Sequence, residues 1–362
     1  MIFSQIGPFI LSGVFSLTLS ACGVTAPMTV FAAFSPSPTA FAIPTVSSPR
    51  LVLEPQAGVT PWMRLIAQAR TGIDVNAYLV DNPAIAQALR QAGSRGVPIQ
   101  VLLAPNPYGA TDWVPQERAL LATIPHILVR QPPSRFIGPY TFDHAKYLVI
   151  NPGTPSVQAL LGSANFTVSA VNGTNLEADV LVSGDPAQAA AAVFHADWTD
   201  HPAGSGPRRT LILSPGSQRA ITTLLRTSGP IALSAEELGN DRALDQAIAH
   251  DGSRVHLLLA APLSAGTRRR AQMLTQAGVQ VRTLTHPVIH AKVLITTTRA
   301  FVGSENLSYV SLTRNREMGC LVQGSIRTSL VHWFTHYWTQ AQPLAASPFV
   351  VKGTAQFASL TP

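Results

Sequence analysis

FDHAKYLVIN (Phe142 to Asn151) and VIHAKVLITT (Val288 to Thr297) are the stretches whose reading decides the fold. Each sets a histidine and a lysine two residues apart inside an otherwise apolar run. The chain has three lysines, Lys146, Lys292 and Lys352, and ten histidines, so two of the three lysines fall in His-Ala-Lys. Random placement over the 362 residues gives roughly 0.1 His-x-Lys pairs, well below the two observed.

Laying one stretch over the other brings the rest of the chain into register. GIDVNAYLV (Gly72 to Val80) falls on PIALSAEEL (Pro230 to Leu238), each after an amphipathic segment, PWMRLIAQAR and QRAITTLLRT. VPIQVLLAP falls on SRVHLLLAAP, continuous apolar runs of the kind that form strands buried on both faces. The helical segments NPAIAQALRQAG and TRRRAQMLTQAG each end in glycine, read as a helix stop. HILVRQPP and VQVRTLTHP follow, then His-Ala-Lys, then LLGSANFT against FVGSENLS, and NLEADVLV against NREMGCLV. The exits match too, Phe194 and Trp198 against Phe334 and Trp338, aromatic pairs that share a helical face and anchor a last helix to the core.

A repeat of this length, with strands alternating with helices, predicts an α/β fold. Two tandem α/β/α units with mixed sheets are expected, 50–204 and 205–345, with HPAGSGP as the seam.

The outer segments carry different expectations. Residues 1–21 are apolar and uncharged and read as an export signal, although no Lys or Arg precedes the apolar run. Leu19-Ser20-Ala21-Cys22 resembles a bacterial lipobox, which makes Cys22 a lipidation site. Residues 22–49, rich in Pro, Ser, Thr and Ala, read as a tether, and 346–362 as a loose tail. The expected location is outside the cytoplasm, as a lipoprotein on the periplasmic side of a bacterial membrane or secreted. A lipidated Cys22 leaves Cys320 without a disulfide partner, and two cysteines make no zinc site by themselves.

At 46% hydrophobic residues the chain has ample core, which excludes a disordered protein. A formal charge of +7 favours an anionic partner such as phospholipid head groups or nucleic acid, although only 12% of residues are charged. Arg268 to Arg270 and Arg208-Arg209 are candidate contacts for such a partner, although such a run is more often a solvated face. There is no P-loop, no dinucleotide fingerprint and no aromatic-interleaved basic strip.

Three elements recur in each half. In an extended strand, side chains i and i+2 share a face, so His144 emerges beside Lys146 and His290 beside Lys292. Gly162-Ser163-x-Asn165 and Gly303-Ser304-x-Asn306 then offer a close backbone approach with a hydroxyl and an amide, donors suited to an anionic oxygen. Asn175-x-Glu177 and Asn315-x-Glu317 add an amide and a carboxylate able to hold an imidazole's far nitrogen. His126, His195, His250, His256 and His286 lie outside any repeated set.

The duplicated series resembles the phospholipase D superfamily over roughly Leu51 to Gln342. The resemblance implies two halves related by a pseudo-two-fold axis, with both motif sets in one active site. It implies His144 as the nucleophile that becomes a phosphohistidine, and His290 as the acid that protonates the leaving alkoxide and then activates water. The sequence alone leaves the choice of attacking histidine open. By the same resemblance Lys146, Lys292, Asn165 and Asn306 hold the phosphoryl oxygens with no metal or other cofactor. Ser163 and Ser304 support the cradle, and Glu177 and Glu317 orient the imidazoles. The family's full motif places Asp five residues after each Lys, where this chain has Asn151 and Thr297, which implies a changed support.

A phospholipid is the first substrate expectation, with the bilayer as partner through the lipid anchor and the chain acting as a monomer. An exported nuclease, phosphatidyl transfer as in cardiolipin synthases, and a catalytically silent phosphate-binding module stay open.

Overall fold

The computed structural model describes residues 49–344. The leader, Cys22 and the tail 346–362 lie outside the described residues, as does the tether apart from Pro49.

The strands of the first half are β1 (Arg50–Glu54), β2 (Ile73–Ala77), β3 (Ile99–Leu103), β4 (Ile127–Arg130), β5 (Lys146–Ile150), β6 (Gln158–Gly162) and β7 (Asn175–Ser183). Those of the second are β8 (Ile212–Ser214), β9 (Ile231–Ala235), β10 (Val255–Ala260), β11 (Gln280–Leu284), β12 (Val288–Ile289), β13 (Lys292–Ile295), β14 (Ala300–Gly303), β15 (Glu317–Val322) and β16 (Gln342–Pro343). One sheet runs β1-β7-β6-β5-β2-β3-β4 and the other β16-β11-β10-β9-β13-β14-β15-β8. In each, three parallel strands (β2, β3, β4 or β9, β10, β11) meet an antiparallel set through the strand that opens with the motif lysine. These are the two tandem mixed halves that the repeat predicts.

Local chemistry explains the elements. β2 and β5 are buried at every position; β5 is apolar after Lys146, and in β2 the buried Asn76 amide is satisfied by Asp143 and the Ala145 carbonyl. The helix Pro83–Ser94 starts at Asn82, whose side chain accepts from the Ala84 and Ile85 N–H groups, and Pro83 sits where no donor is needed. Its end corrects the sequence reading. Gly93 lies inside the helix, where a Cβ would come within 2.1 Å of the Pro125 carbonyl, so it is a close-approach glycine. The chain turns at Gly96, with φ +83°.

Apolar side chains form one core on the outer face of each sheet and a third between the sheets. The third takes Tyr147, Leu161 and Val180 from one half, Val293, Val302 and Cys320 from the other, and one face of each terminal helix, Asp185–Trp198 and Gly324–Gln340. Phe194 stacks on Trp198 at 5.7 Å and Phe334 on Trp338 at 5.5 Å. An arginine from the outermost parallel strand of each sheet caps each pair, Arg130 of β4 over Trp198 and Arg282 of β11 over Trp338. Cys320 is a free thiol in this core.

Two short seams of backbone join the halves. β12 pairs in parallel with Asn175 and Leu176 of β7, and the His290 and Ala291 N–H groups both donate to the Leu176 carbonyl. Across the molecule, Asp143 bridges Arg316, and the His144 N–H donates to the Arg316 carbonyl at 2.9 Å. Arg316 is itself buried, with a bidentate pair to Asp197 at 2.7 and 2.9 Å and a third bond to the Ser214 carbonyl.

Candidate active site

Those seams place each motif histidine against the acidic strand of the other half. His144 Nδ1 lies 3.0 Å from Glu317 Oε2, and His290 Nδ1 lies 2.7 Å from Glu177 Oε2. Both carboxylates have no exposed surface. Burial pushes their pKa up, but the histidine and lysine charges facing them outweigh it and hold both below the usual range. Each imidazole therefore has Nδ1 tied to a carboxylate, with Nε2 as its remaining ring nitrogen.

The serines differ from the sequence reading, which placed them on the phosphate. Ser163 Oγ donates to Glu177 Oε2 at 2.6 Å and accepts from the Ala178 N–H, and Ser304 Oγ donates to Glu317 Oε2 at 2.6 Å and accepts from the Met318 N–H. Fully buried and with their one proton engaged, they fix the carboxylates. The amides of Asn175 and Asn315 likewise donate to Glu177 and Glu317, both at 3.2 Å, and do not touch an imidazole. Asn165 and Asn306 are different again. Among the described residues neither side chain has a hydrogen-bond partner, and in each the buried Oδ1 is unpartnered.

Lys146 and Lys292 are buried beside their histidines, each donating to the carbonyl two residues before it, of His144 and of His290. Burial lowers Lys146 to about 7, modified by the charges of Glu317, Lys292, Glu236 and Glu177. A lysine that feels carboxylates from both halves and the other motif lysine shares one electrostatic site with them. Burial also lowers His144 to about 4.

Around this symmetric set the two halves diverge at the register position after β2 and β9. Tyr78, after β2, sets its ring edge-to-face over His144 with centroids 4.6 Å apart, and Lys146 Nζ lies 4.7 Å from the same ring. The position that falls on Tyr78 in the repeat is Glu236, after β9, whose Oε2 is 2.7 Å from Lys292 Nζ and 3.4 Å from His290 Nε2. Neither was singled out from the sequence, though the pairing of GIDVNAYLV with PIALSAEEL already set them opposite each other.

The replaced motif Asp is also explained. Asn151 has φ +53° and its Oδ1 accepts from the Arg70 and Thr71 N–H groups at 2.7 and 3.1 Å, holding a turn at the far end of β5. In the second half the neighbouring Thr296 closes the turn with Arg299, while Thr297 packs over Gly229. Of the basic runs, Arg208 binds the Leu213 and Pro215 carbonyls and Arg270 pairs with Asp245, leaving Arg209, Arg268 and Arg269 exposed.

Two mixed sheets, each carrying an imidazole, an ammonium and an unpartnered amide, with each imidazole held by a carboxylate of the other half, define a fold of the phospholipase D kind. The family model described as "Cardiolipin synthase, PLD-like domain" matches residues 62–198 and 233–338, and the chain belongs to that family. Among solved structures it is similar to a phosphatidylserine synthase from Haemophilus influenzae Rd KW20, with TM-score 0.60 and 12% identity over 83% of this chain and 88% of that one. A polyphosphate kinase from Porphyromonas gingivalis is similar in fold with TM-score 0.60 and 15% identity over 80% of this chain, which spans 47% of the kinase. No curated protein matches in sequence.

Proposed function

We propose that the protein is a phosphodiesterase of the phospholipase D type that cleaves phospholipid head-group diesters through a phosphohistidine. The observation that carries the reading is the crossed pairing of His144 with Glu317 and His290 with Glu177. It leaves two Nε2 atoms to serve one phosphorus, as nucleophile and as acid.

The unequal surroundings divide these roles. His144 faces the Tyr78 ring and is held neutral by burial down to about pH 4, which suits the attacking lone pair. His290 has a carboxylate near each ring nitrogen, Glu177 at Nδ1 and Glu236 at Nε2, and takes the complementary role of the acid that protonates the leaving oxygen. Lys146 and Lys292, with the free amides of Asn165 and Asn306, would take the non-bridging oxygens and stabilise the charge that builds in the transition state.

Lipid is favoured over nucleic acid by the rim. Tyr108 and Trp113 on the segment after β3, and Tyr140 between β4 and β5, are exposed aromatics, and the Tyr108 N–H donates to the Tyr78 hydroxyl, tying the first of these segments to the site. Beside it lies a cleft of about 350 Å³ lined by Val80, Trp113 and Leu120 with Asp81, Gln116 and Glu117. Amphipathic rings of this kind suit a bilayer surface. Anchoring through Cys22 and export belong to the same proposal; among the described residues no helix is long and apolar enough to cross a membrane. Phosphatidyl transfer, in which an alcohol replaces water in the second step, is the second reading, favoured by the family description.

The test is a panel of phosphatidylcholine, phosphatidylglycerol and plasmid DNA with the full chain in EDTA. Phosphatidic acid release is expected; nicked DNA with intact lipid overturns the lipid reading, and turnover only with added metal overturns the role given to the lysines.

A further inference from the structure

Of the three carboxylates that face a motif imidazole among the described residues, Glu236 is the one that reaches solvent. Glu177 and Glu317 are sealed in, with serine, asparagine and histidine around them. Glu236 by contrast has a side chain 39% exposed, and its recorded contacts are Lys292 Nζ at 2.7 Å and His290 Nε2 at 3.4 Å. It caps no helix and holds no turn. Burial opposes its charge, but His290 and Lys292 more than offset this, so it stays ionised below the usual carboxylate range.

Its place relative to the reacting atoms follows from His290. Nε2 of that ring passes its proton to the departing alcohol oxygen and takes one from the incoming oxygen, so a group 3.4 Å from Nε2 flanks the alcohol rather than the lipid side of phosphorus. A carboxylate cannot accept from phosphoryl oxygens, which carry no proton, and repels them. It can accept from a hydroxyl or an ammonium. The first half places a tyrosine ring at this position, so the carboxylate marks one side only.

We infer that Glu236 selects the alcohol: it accepts a hydrogen bond or ion pair from a second hydroxyl or an ammonium borne on the alcohol that leaves or enters at His290. The inference rests on the phosphodiesterase reading above and specifies its alcohol subsite. Glycerol and ethanolamine carry such a donor; a simple alkanol does not. A polynucleotide brings a neighbouring phosphate instead, which this carboxylate disfavours.

In the second step the acceptor oxygen forms its bond to phosphorus as the bond from phosphorus to His144 Nε2 breaks. The electron pair returns to that nitrogen, and the acceptor's proton goes to His290 Nε2. For any one phosphoryl donor, acceptors therefore compete for one phosphoryl-enzyme, and their product ratio reads the acceptor step alone.

The experiment measures that ratio with the full chain, supplying water, glycerol, ethanolamine and 1-propanol at equal alcohol concentrations. Phosphatidylcholine vesicles and bis(p-nitrophenyl) phosphate serve as separate phosphoryl donors. Wild type should favour glycerol and ethanolamine over 1-propanol. Glu236→Leu should cut both preferences about tenfold, and Glu236→Gln, which still accepts a hydrogen bond but has no charge, should lower ethanolamine more than glycerol. If every acceptor falls by one factor and the ratios stay within about twofold of wild type, Glu236 acts only through Lys292 and His290 and the inference is overturned. Cleavage of the nitrophenyl diester with no phosphatidylcholine turnover sinks the lipid reading while the ratio still decides the role of Glu236. Turnover of neither donor overturns both.

Discussion

Glu177 and His290, 113 residues apart and in different halves, make the 2.7 Å contact that ties the two repeats into one site. Its counterpart, Glu317 with His144, spans 173 residues. Neither half holds its own histidine, so neither is complete alone.

Removing the charge while keeping the shape should expose that dependence. Glu177→Gln and Glu317→Gln are expected to fold and to lose roughly 10- to 100-fold in kcat, the usual cost of losing a partner that orients a reacting imidazole. Glu317 opposes the downward shift of His144, so Glu317→Gln should also move the acid limb of the kcat/KM profile to lower pH. An unchanged limb with lowered kcat would confine Glu317 to packing.

The division of labour between the histidines is read by a burst. With a p-nitrophenyl diester, whose leaving group needs no protonation, His290→Ala should release about one p-nitrophenol per chain and stop, with the phosphoryl group on the His144 peptide by mass spectrometry. His144→Ala should give no burst, and the opposite pattern would exchange the roles.

Lys146 sets a pH prediction. Burial lowers it to about 7, so in the free enzyme its ammonium is present below that pH and lost above it. His144 must be neutral to attack and is protonated below about 4. The profile of kcat/KM should therefore rise near pH 4 and fall near pH 7. Because the chain has only three lysines, 13C labelling of lysine gives three signals, one of which should titrate near 7 and shift upward when an anionic phosphate analogue binds. Three titrations all near 10 would refute the shift.

Asn151 offers a control away from the chemistry. Asn151→Asp keeps an acceptor for the Arg70 and Thr71 N–H groups and should leave stability within about 0.5 kcal/mol and turnover unchanged. Asn151→Ala orphans both donors at a left-handed position and should cost about 2 kcal/mol or more in urea unfolding. A large activity loss in Asn151→Asp would mean that this turn reaches the site.

Much of this protein is written locally. The twofold repeat, the order of strands and helices, and the Phe194–Trp198 and Phe334–Trp338 anchors follow from periodicity and spacing, because a buried strand or a helix face needs apolar residues wherever it folds. The sequence also singled out His144, Lys146, His290, Lys292, Glu177 and Glu317. It did not say which carboxylate meets which histidine, that Ser163 and Ser304 hold carboxylates rather than phosphate, or that Gly93 is a contact rather than a stop. Nor did it show that Tyr78 and Glu236 stand over the two rings. The first depends on two short backbone seams, Ile289 beside Leu176 and Asp143 beside Arg316, which cross from one repeat to the other, and the rest on contacts between separate segments of one half. Pairing between segments so far apart leaves no period in either one, so only the assembled chain decides it.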